Sequence, residues 1–265
     1  YHLLDSLVAF TRFGDRVTVA PSDEDRFAIT GPYAAGLPAD DTNLVLRALK
    51  AMRAEFGRTE PISISLEKNL PVASGVGGGS SDAAAVMRGL ASLWHLPADP
   101  ERLGRIGIGL GADVPMCLAA RPLIARGIGE EITPVDGFPS LGIVLVNPGV
   151  AVSTAAVFAA LSSRDNPPLP PLPGHLDFHT LCNWLETTRN DLEAPARALE
   201  PAINGALAAL KKAGAHFVRM SGSGATCFGL FESGNLAKRA ASEIRKRKPD
   251  WFVAATRNTS KDDTA

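Results

Sequence analysis

Glycine and serine are concentrated in one short segment, Gly75-Val-Gly-Gly-Gly-Ser-Ser81, directly before a run of small helix-forming residues. Glycine lets the backbone adopt positive φ angles and approach a ligand closely. A glycine loop that opens into a helix directs N–H groups and the positive end of the helix dipole at one point, which favours an anion such as phosphate. The segment has neither the Gly-Lys-Ser/Thr of a Walker loop nor, at Ser80, the third glycine of the dinucleotide fingerprint. The sequence therefore predicts a phosphate loop of another class, with a ligand-free glycine turn as the alternative.

Two further segments carry groups that suit transfer chemistry. Asp113 follows glycines in Gly-Leu-Gly-Ala-Asp-Val-Pro, where a carboxylate can accept a hydroxyl proton and orient the oxygen as a nucleophile. A lone Asp in such a place is also common in turns and helix caps. Ser221-Gly-Ser-Gly-Ala-Thr226 is a second glycine loop, whose donors would be backbone N–H groups and hydroxyls because strand-like runs flank it. Its alternative is a plain hairpin turn.

The predicted elements around these segments place them at the ends of strands and helices. Residues 62–67 alternate apolar and polar side chains, which predicts a half-buried strand leading towards the first glycine loop. The small residues from Ala83 onward predict a helix after that loop. Asp40-Asp41-Thr42 is predicted to cap an earlier helix that ends at Gly57. Candidate caps for the helix after the loop are Ser80, Ser81 and Asp82.

The composition is that of a globular protein with one large domain or two modest ones. The chain has 265 residues, of which 45% are hydrophobic and 21% charged. Its formal net charge of -1 gives no indication of a nucleic-acid or membrane-surface partner. No apolar run is long enough to span a membrane, and three cysteines without metal-ligand spacing fit a reducing cytoplasm. A change of composition near Gly137 predicts two domains, residues 1–137 and 138–265.

The first glycine loop and its flanks, Pro71 to Ala84, resemble the ATP-binding motif of the GHMP kinases, a superfamily of small-molecule kinases. The resemblance covers nearly the whole chain and implies ATP and Mg²⁺ as cofactors, with the Ser81 hydroxyl as a candidate metal ligand. Taken alone, Asn43 is equally a helix cap and Lys68 a solvated charge at a strand end. The residues implied to bind ATP are Asn43, Lys68, Pro71, Val72, Ala73, Ser74, Gly75, Val76, Gly77, Gly78, Gly79, Ser80 and Ser81.

Within this superfamily the chain most resembles the kinases of the non-mevalonate isoprenoid pathway whose acceptor is a cytidine-diphosphate-linked methylerythritol. The resemblance implies transfer of the ATP γ-phosphoryl group to a hydroxyl of that compound, giving its 2-phosphate, with Asp113 as the catalytic residue facing the acceptor. Tyr1, His2 and Phe158 would hold the cytosine ring, although surface aromatics and a core aromatic are the plain alternatives. The residues implied to bind substrate are Tyr1, His2, Asp113, Thr154, Phe158, Gly222, Ser223 and Gly224.

The resemblance also implies the fold, an α+β two-lobed GHMP kinase. We expect an N-terminal ribosomal-protein-S5-domain-2-like lobe that binds ATP and a C-terminal ferredoxin-like lobe, with the substrate between them. We further expect a cytoplasmic monomer or weak homodimer that binds small molecules only. Family members carry an earlier strand, Pro-Ala-Lys-hydrophobic-Asn-Leu, which this sequence does not contain. This difference gives weight to one alternative, a non-catalytic nucleotide-binding homologue; the other alternative is another GHMP kinase of the homoserine or mevalonate type.

Overall fold

The computed structural model describes residues 3–97 and 99–259, which form two compact units. Within these limits the first unit takes in residues 3–8, 14–72 and 77–133, and the second takes in 9–13, 73–76 and 134–259. Residues 73–76, which lead into the first glycine loop and include its first two residues, thus belong to the second unit, whereas the residues before and after them in the chain belong to the first.

The first unit combines two small sheets with helices. In one sheet β4 pairs antiparallel with β2 on one side and parallel with β3 on the other. The second sheet has the order β1-β5-β6. The strands are β1 (Leu4–Val8), β2 (Arg16–Pro21), β3 (Arg26–Thr30), β4 (Ile62–Glu67), β5 (Leu123–Gly127) and β6 (Glu131–Pro134). The helices are α1 (Leu44–Phe56), α2 (Gly78–Leu93), α3 (Pro100–Leu110) and α4 (Val114–Ala119).

The second unit is built on one antiparallel sheet with the strand order β10-β7-β9-β8. Its strands are β7 (Gly142–Asn147), β8 (Phe217–Met220), β9 (Cys227–Phe231) and β10 (Phe252–Arg257). Its helices are α5 (Thr154–Ala159), α6 (Phe178–Glu186), α7 (Glu193–Leu199), α8 (Ala202–Lys212) and α9 (Gly234–Arg247). Together the two units confirm the predicted α+β fold class.

Each unit is held by an apolar core that fixes the strands next to the glycine loops. The alternation predicted for β4 is confirmed, since Ile62, Ile64 and Leu66 are buried and their neighbours are not. In the second unit every residue of β7 is buried, and Val144 and Val146 belong to one cluster with residues of α8 and α9. Burial of each such side chain contributes about 1.5–3 kcal/mol, so the sheet ends that carry the loops are rigidly placed.

The start of α1 differs from the prediction. Its cap is Asn43 rather than the Asp40-Asp41-Thr42 segment, because the Asn43 Oδ1 accepts the Val45 N–H at 3.0 Å. The predicted end at Gly57 is confirmed, and this residue adopts the left-handed conformation with φ 62°. Across the described residues, every helix is too short or too polar to cross a membrane.

Candidate active site

The first glycine loop opens into α2, but the helix starts earlier than the sequence predicts. Gly77, in the left-handed conformation with φ 67°, is the N-cap, and no described side chain caps the helix. The predicted caps Ser80, Ser81 and Asp82 are therefore wrong, because all three lie inside the helix. A start made of glycines and left without a side-chain cap keeps its first N–H groups available to an anion.

Lys68 lies behind this helix start, in a buried ion cluster with Asp15 and Asp82. Its Nζ is 2.8 Å from the Asp82 Oδ2 and also pairs with the Asp15 Oδ2. The side chains of Lys68, Asp15 and Asp82 are only 6%, 3% and 7% exposed. The sequence-level alternative of a solvated charge at a strand end is therefore wrong.

The charges in this cluster do not balance, since a single ammonium faces two carboxylates. Burial alone would lower the pKa of Lys68, but Asp82 and Asp15 outweigh it, so the pKa is raised and the ammonium stays protonated. Burial raises the pKa of Asp82 to about 6, against the opposing attraction of Lys68, because one cation cannot neutralise both acids. The cluster therefore carries excess negative charge near neutral pH.

Asp113 is the N-cap residue of α4 and is exposed to solvent. Among the described residues its carboxylate makes no cap hydrogen bond, and partial desolvation by the surrounding protein raises its pKa. The following residues Val114, Pro115, Met116 and Cys117 are buried and anchor the helix. At the start of an anchored helix the structure thus presents a carboxylate that receives no cap hydrogen bond from the described residues and is available to orient a hydroxyl nucleophile.

Hydrogen bonds join helix α2 to α4, the helix that begins after Asp113. The Ser81 hydroxyl donates to the Cys117 Sγ at 3.6 Å, and the Arg88 Nη1 donates to the Cys117 carbonyl at 2.7 Å. Burial raises the pKa of the Cys117 thiol to about 11, so the thiol stays neutral. Because Ser81 uses its proton on sulfur, the lone pairs of its oxygen remain for another partner.

The two glycine loops, which the sequence predicts separately, touch each other inside the second unit. The Thr226 N–H donates to the Ser74 carbonyl at 3.1 Å, and the Ser221 hydroxyl donates to the Gly75 carbonyl at 2.9 Å. Gly75 has φ 76°, and a Cβ added there would lie 2.6 Å from the carbonyl oxygens of Ser221 and Gly224. Only glycine allows this approach, so the residue type follows from the contact between the loops.

Predicted substrate residues also meet at the second loop. The hydroxyls of Thr154 and Ser223 lie 2.8 Å apart. Thr154 begins α5, and Phe158 lies half-buried on the same helix. Tyr1 and His2 lie outside the described residues.

Asn43 is already engaged by the protein. Besides capping α1, it donates from Nδ2 to the Pro38 carbonyl at 2.8 Å. The helix-cap alternative for this residue is therefore what the structure contains, and a contact with nucleotide stays a prediction.

Several residues that support the loops were not found by sequence reasoning. Asn190 donates to the carbonyls of Met220 and Gly222 at 2.9 and 2.8 Å, and Asn147 donates to the Thr226 hydroxyl at 3.0 Å. Asp15 is the third case. Each of these is a single polar residue in a turn or at a strand end, and its partner lies far along the chain, so no local pattern marks it.

The donor set suits a magnesium ion that takes most of its ligands from water and phosphate. No group of three or more His, Cys, Asp or Glu side chains in the described ranges is placed to hold a metal. Magnesium in phosphate-transfer sites commonly needs only one or two protein carboxylates. The Asp113 carboxylate and the Ser81 oxygen fit that requirement.

Similarity to known proteins extends along most of the chain. Residues 43–121 match the GHMP kinases N terminal domain, and residues 175–250 match the GHMP kinases C terminal domain. A 4-diphosphocytidyl-2-C-methyl-D-erythritol kinase of Mesorhizobium japonicum is 68% identical over 262 residues, covering 98% of this chain and 89% of the relative. The kinase of the same name from Chelativorans sp. is 52% identical over 258 residues, covering 97% and 88%.

Solved structures are also similar to this chain along most of its length. A crystal structure of 4-(cytidine 5'-diphospho)-2C-methyl-D-erythritol kinase is 32% identical, with a TM-score of 0.78 over 98% of this chain and 91% of that one. Homoserine kinase from Cytophaga hutchinsonii, at 19% identity and a TM-score of 0.67 over 96% and 88% of the two chains, shares the fold. Because relatives of such high identity cover nearly the whole chain, this protein belongs to the GHMP kinases, in their 4-diphosphocytidyl-2-C-methyl-D-erythritol kinase family.

Proposed function

We propose that this kinase transfers the γ-phosphoryl group of ATP to a hydroxyl of 4-diphosphocytidyl-2-C-methyl-D-erythritol and forms its 2-phosphate, a step of non-mevalonate isoprenoid precursor synthesis. The observation that carries the proposal is the 68% identity, over 98% of the chain, to a relative named as the kinase of that compound. Homoserine and mevalonate kinases share the fold at 19% and 15% identity, and this level of similarity supports no shared acceptor.

The ATP phosphates would bind at the first glycine loop. Residues 72–81 supply backbone N–H groups there, and α2 adds the positive end of its dipole. In phosphoryl transfer the protein contributes mainly positioning and charge stabilisation, and a preformed cradle of N–H groups supplies both. Lys68 would support this cradle through the ion cluster, and a contact between Asn43 and nucleotide remains part of the proposal.

Asp113 would orient the acceptor hydroxyl and accept its proton. Because no described residue makes a cap hydrogen bond to it, one carboxylate oxygen can serve this task while the other can face a metal ion, and its raised pKa makes it a better proton acceptor than an ordinary Asp. Ser81 and Asp113 are the residues that would hold Mg²⁺. When bound, the ion neutralises charge on the phosphate oxygens.

The acceptor would be recognised by residues of both predicted domains, 1–137 and 138–265. Thr154 and the second glycine loop at residues 222–224 offer hydroxyls and N–H groups that suit a diphosphate or a polyol. Phe158, together with Tyr1 and His2, would bind the cytosine ring by stacking and edge contacts. A cytoplasmic location and a monomeric or weakly dimeric state are also predictions.

An acceptor panel with the full-length protein tests the proposal. ADP formation is measured with the cytidine-linked methylerythritol, homoserine and mevalonate, for the wild type and for Asp113→Asn. We expect turnover with the cytidine compound alone, reduced about 10²–10⁴-fold in the variant, because a positioned general base contributes that much.

Asp113→Asn should keep or slightly raise the melting temperature, since it removes a carboxylate that the fold desolvates. A folded variant with unchanged turnover contradicts the role of Asp113. Turnover with another acceptor contradicts the substrate, and ATP binding without turnover would indicate a non-catalytic homologue.

A further inference from the structure

Asp15 uses its whole carboxylate on the three residues that precede the first glycine loop. Its Oδ1 accepts the N–H groups of Asn69 and Leu70 at 2.6 and 2.9 Å, and its Oδ2 pairs with the Lys68 Nζ. Its side chain is 3% exposed, so these contacts are made away from water. Charge-assisted hydrogen bonds in such surroundings are stronger than neutral ones and fix the geometry of the backbone that they hold.

The same carboxylate reaches the start of α2. Lys68, which pairs with Asp15, also pairs with Asp82: its Nζ lies 2.8 Å from the Asp82 Oδ2. Asp82 lies in the second turn of α2. Gly78 is the first residue of the helix, and a Cβ added there would lie 3.5 Å from the Asp15 Oδ2 and 3.6 Å from the Lys68 Nζ. The cluster therefore contacts both the chain entering the loop and the helix leaving it.

A second Asp makes similar contacts away from the loop and provides the comparison: Asp25 directly precedes β3, as Asp15 directly precedes β2. Asp25 accepts the Ile62 N–H at 2.9 Å and pairs with Arg53 at 2.7 Å, at the beginning of β4. Asp15 likewise accepts backbone N–H groups and pairs with a cation, but just beyond the end of β4. Asp25 is 55% exposed and its contacts do not involve the glycine loop. The two residues thus make the same kinds of bond and differ in whether those bonds reach the phosphate loop.

We propose that Asp15 is a positioning residue for ATP: by holding residues 68–70 directly, and α2 through Lys68, it sets where the helix N–H groups meet the phosphates. This inference rests on the ATP site in the proposed function. It concerns ATP affinity and leaves the identity of the acceptor open.

The test compares Asp15→Asn with Asp25→Asn in the full-length protein. Asp15→Asn leaves one Lys facing one Asp, a balanced pair, so the variant should fold. We expect it to weaken ATP binding roughly tenfold, the effect of one displaced charge-assisted hydrogen bond, and to raise KM for ATP equally. The value of kcat and KM for the acceptor should stay within about threefold, because the reacting groups are not touched. Asp25→Asn should leave all four values unchanged.

Direct titration with ATP, without any acceptor, keeps this result separate from the proposed function. If no acceptor is turned over, the ATP affinities of the two variants still decide the inference. Equal weakening in both variants, or a lower melting temperature of Asp15→Asn with wild-type ATP affinity, would overturn it. If Asp15→Asn does not fold, Asp15→Glu keeps the charge and displaces it by one methylene, and unchanged ATP affinity in that variant would overturn the inference as well.

Discussion

At the scale of single residues, charge balance decides how the Asp15–Lys68–Asp82 cluster behaves. Lys68 is the only cation in the cluster, and both carboxylates depend on it. Removing one partner of a buried pair leaves an uncompensated charge, which typically costs about 3–5 kcal/mol. Removing one of the two carboxylates should not lower stability, because the remaining Lys–Asp pair has no net charge.

We therefore predict opposite effects on stability for two changes in this cluster. Lys68→Met should lower the free energy of unfolding by about 3–5 kcal/mol, since it leaves two buried carboxylates facing each other. Asp82→Asn should leave stability unchanged or raise it near pH 7.5. Chemical denaturation measures the free energy of unfolding of both variants. A loss of stability in Asp82→Asn together with wild-type stability in Lys68→Met would contradict the charge argument.

The pH dependence supplies a second test of Asp82. Its pKa in the folded protein, about 6, lies above its ordinary value, so the protonated form is favoured by folding. The stabilisation that this provides is full at low pH and is lost as pH rises through about 6. The stability of Asp82→Asn relative to the wild type should therefore increase between pH 5 and pH 7.5, roughly the interval in which the group titrates. A difference that does not change with pH would contradict the shift.

The same residues show what could be predicted from sequence at this scale. The segment around Asp113 and the glycine loops could be located because glycine and acid clusters are local patterns. The ion cluster could not, since Asp15 and Lys68 are 53 positions apart and meet only when β2 pairs with β4. A basic residue before a phosphate loop suggests a ligand contact, and only the fold reveals that its charge is directed to two carboxylates.

At the level of secondary-structure elements, the contact between the two glycine loops restricts which residue types each loop can contain. Gly75 must have positive φ and must also admit the backbone of residues 221–224 at close range. Positive φ and close approach are separate constraints. Another glycine of the second unit has only the first of them, positive φ, and so serves as a comparison. Gly214, just beyond α8, has φ 87°, and apart from its two chain neighbours no described residue has an atom within 4 Å of an added Cβ.

Alanine at these two glycines should have unequal effects. Gly214→Ala should lower stability by about 1–2 kcal/mol through strain at positive φ alone. Gly75→Ala should add a further roughly 1–3 kcal/mol, because its Cβ overlaps backbone that cannot move aside, and should also reduce phosphoryl transfer. Thermal unfolding and ADP formation check both variants. Equal losses in the two would contradict the requirement for close approach of the loops.

Regular elements were predicted well where periodicity is strong, and their ends less well. β4 and the end of α1 follow directly from alternation and from Gly57. The predicted starts of α1 and α2 differ from the structure because several Ser, Thr, Asp and Asn residues lie near each start, before α1 and inside the first turns of α2, and the sequence does not show which residue is the cap. At α2 the glycines take the cap position instead, which leaves the helix start open for a ligand.

At the scale of the whole molecule, the fold class and the family could be predicted from one motif and its surroundings. The unit membership of residues 73–76 could not, because it depends on contacts of Ser74 and Gly75 with a loop about 150 positions later in the chain. The division into an ATP-binding domain of residues 1–137 and a substrate domain of residues 138–265 stays a prediction about function, whereas the compact units are defined by packing.

In the proposed reaction, this protein moves a phosphoryl group from ATP to one hydroxyl of the cytidine-linked methylerythritol. Phosphorus NMR of the full-length protein with ATP, Mg²⁺ and that acceptor tests it most directly, because the spectrum identifies the product. We predict one new phosphomonoester signal that is not split by a three-bond coupling to protons, because C2 of the 2-C-methylerythritol carries no hydrogen, with the diphosphate bridge to cytidine intact and ADP formed in equal amount. Release of inorganic phosphate without a new monoester, or a monoester at another hydroxyl, would contradict the account.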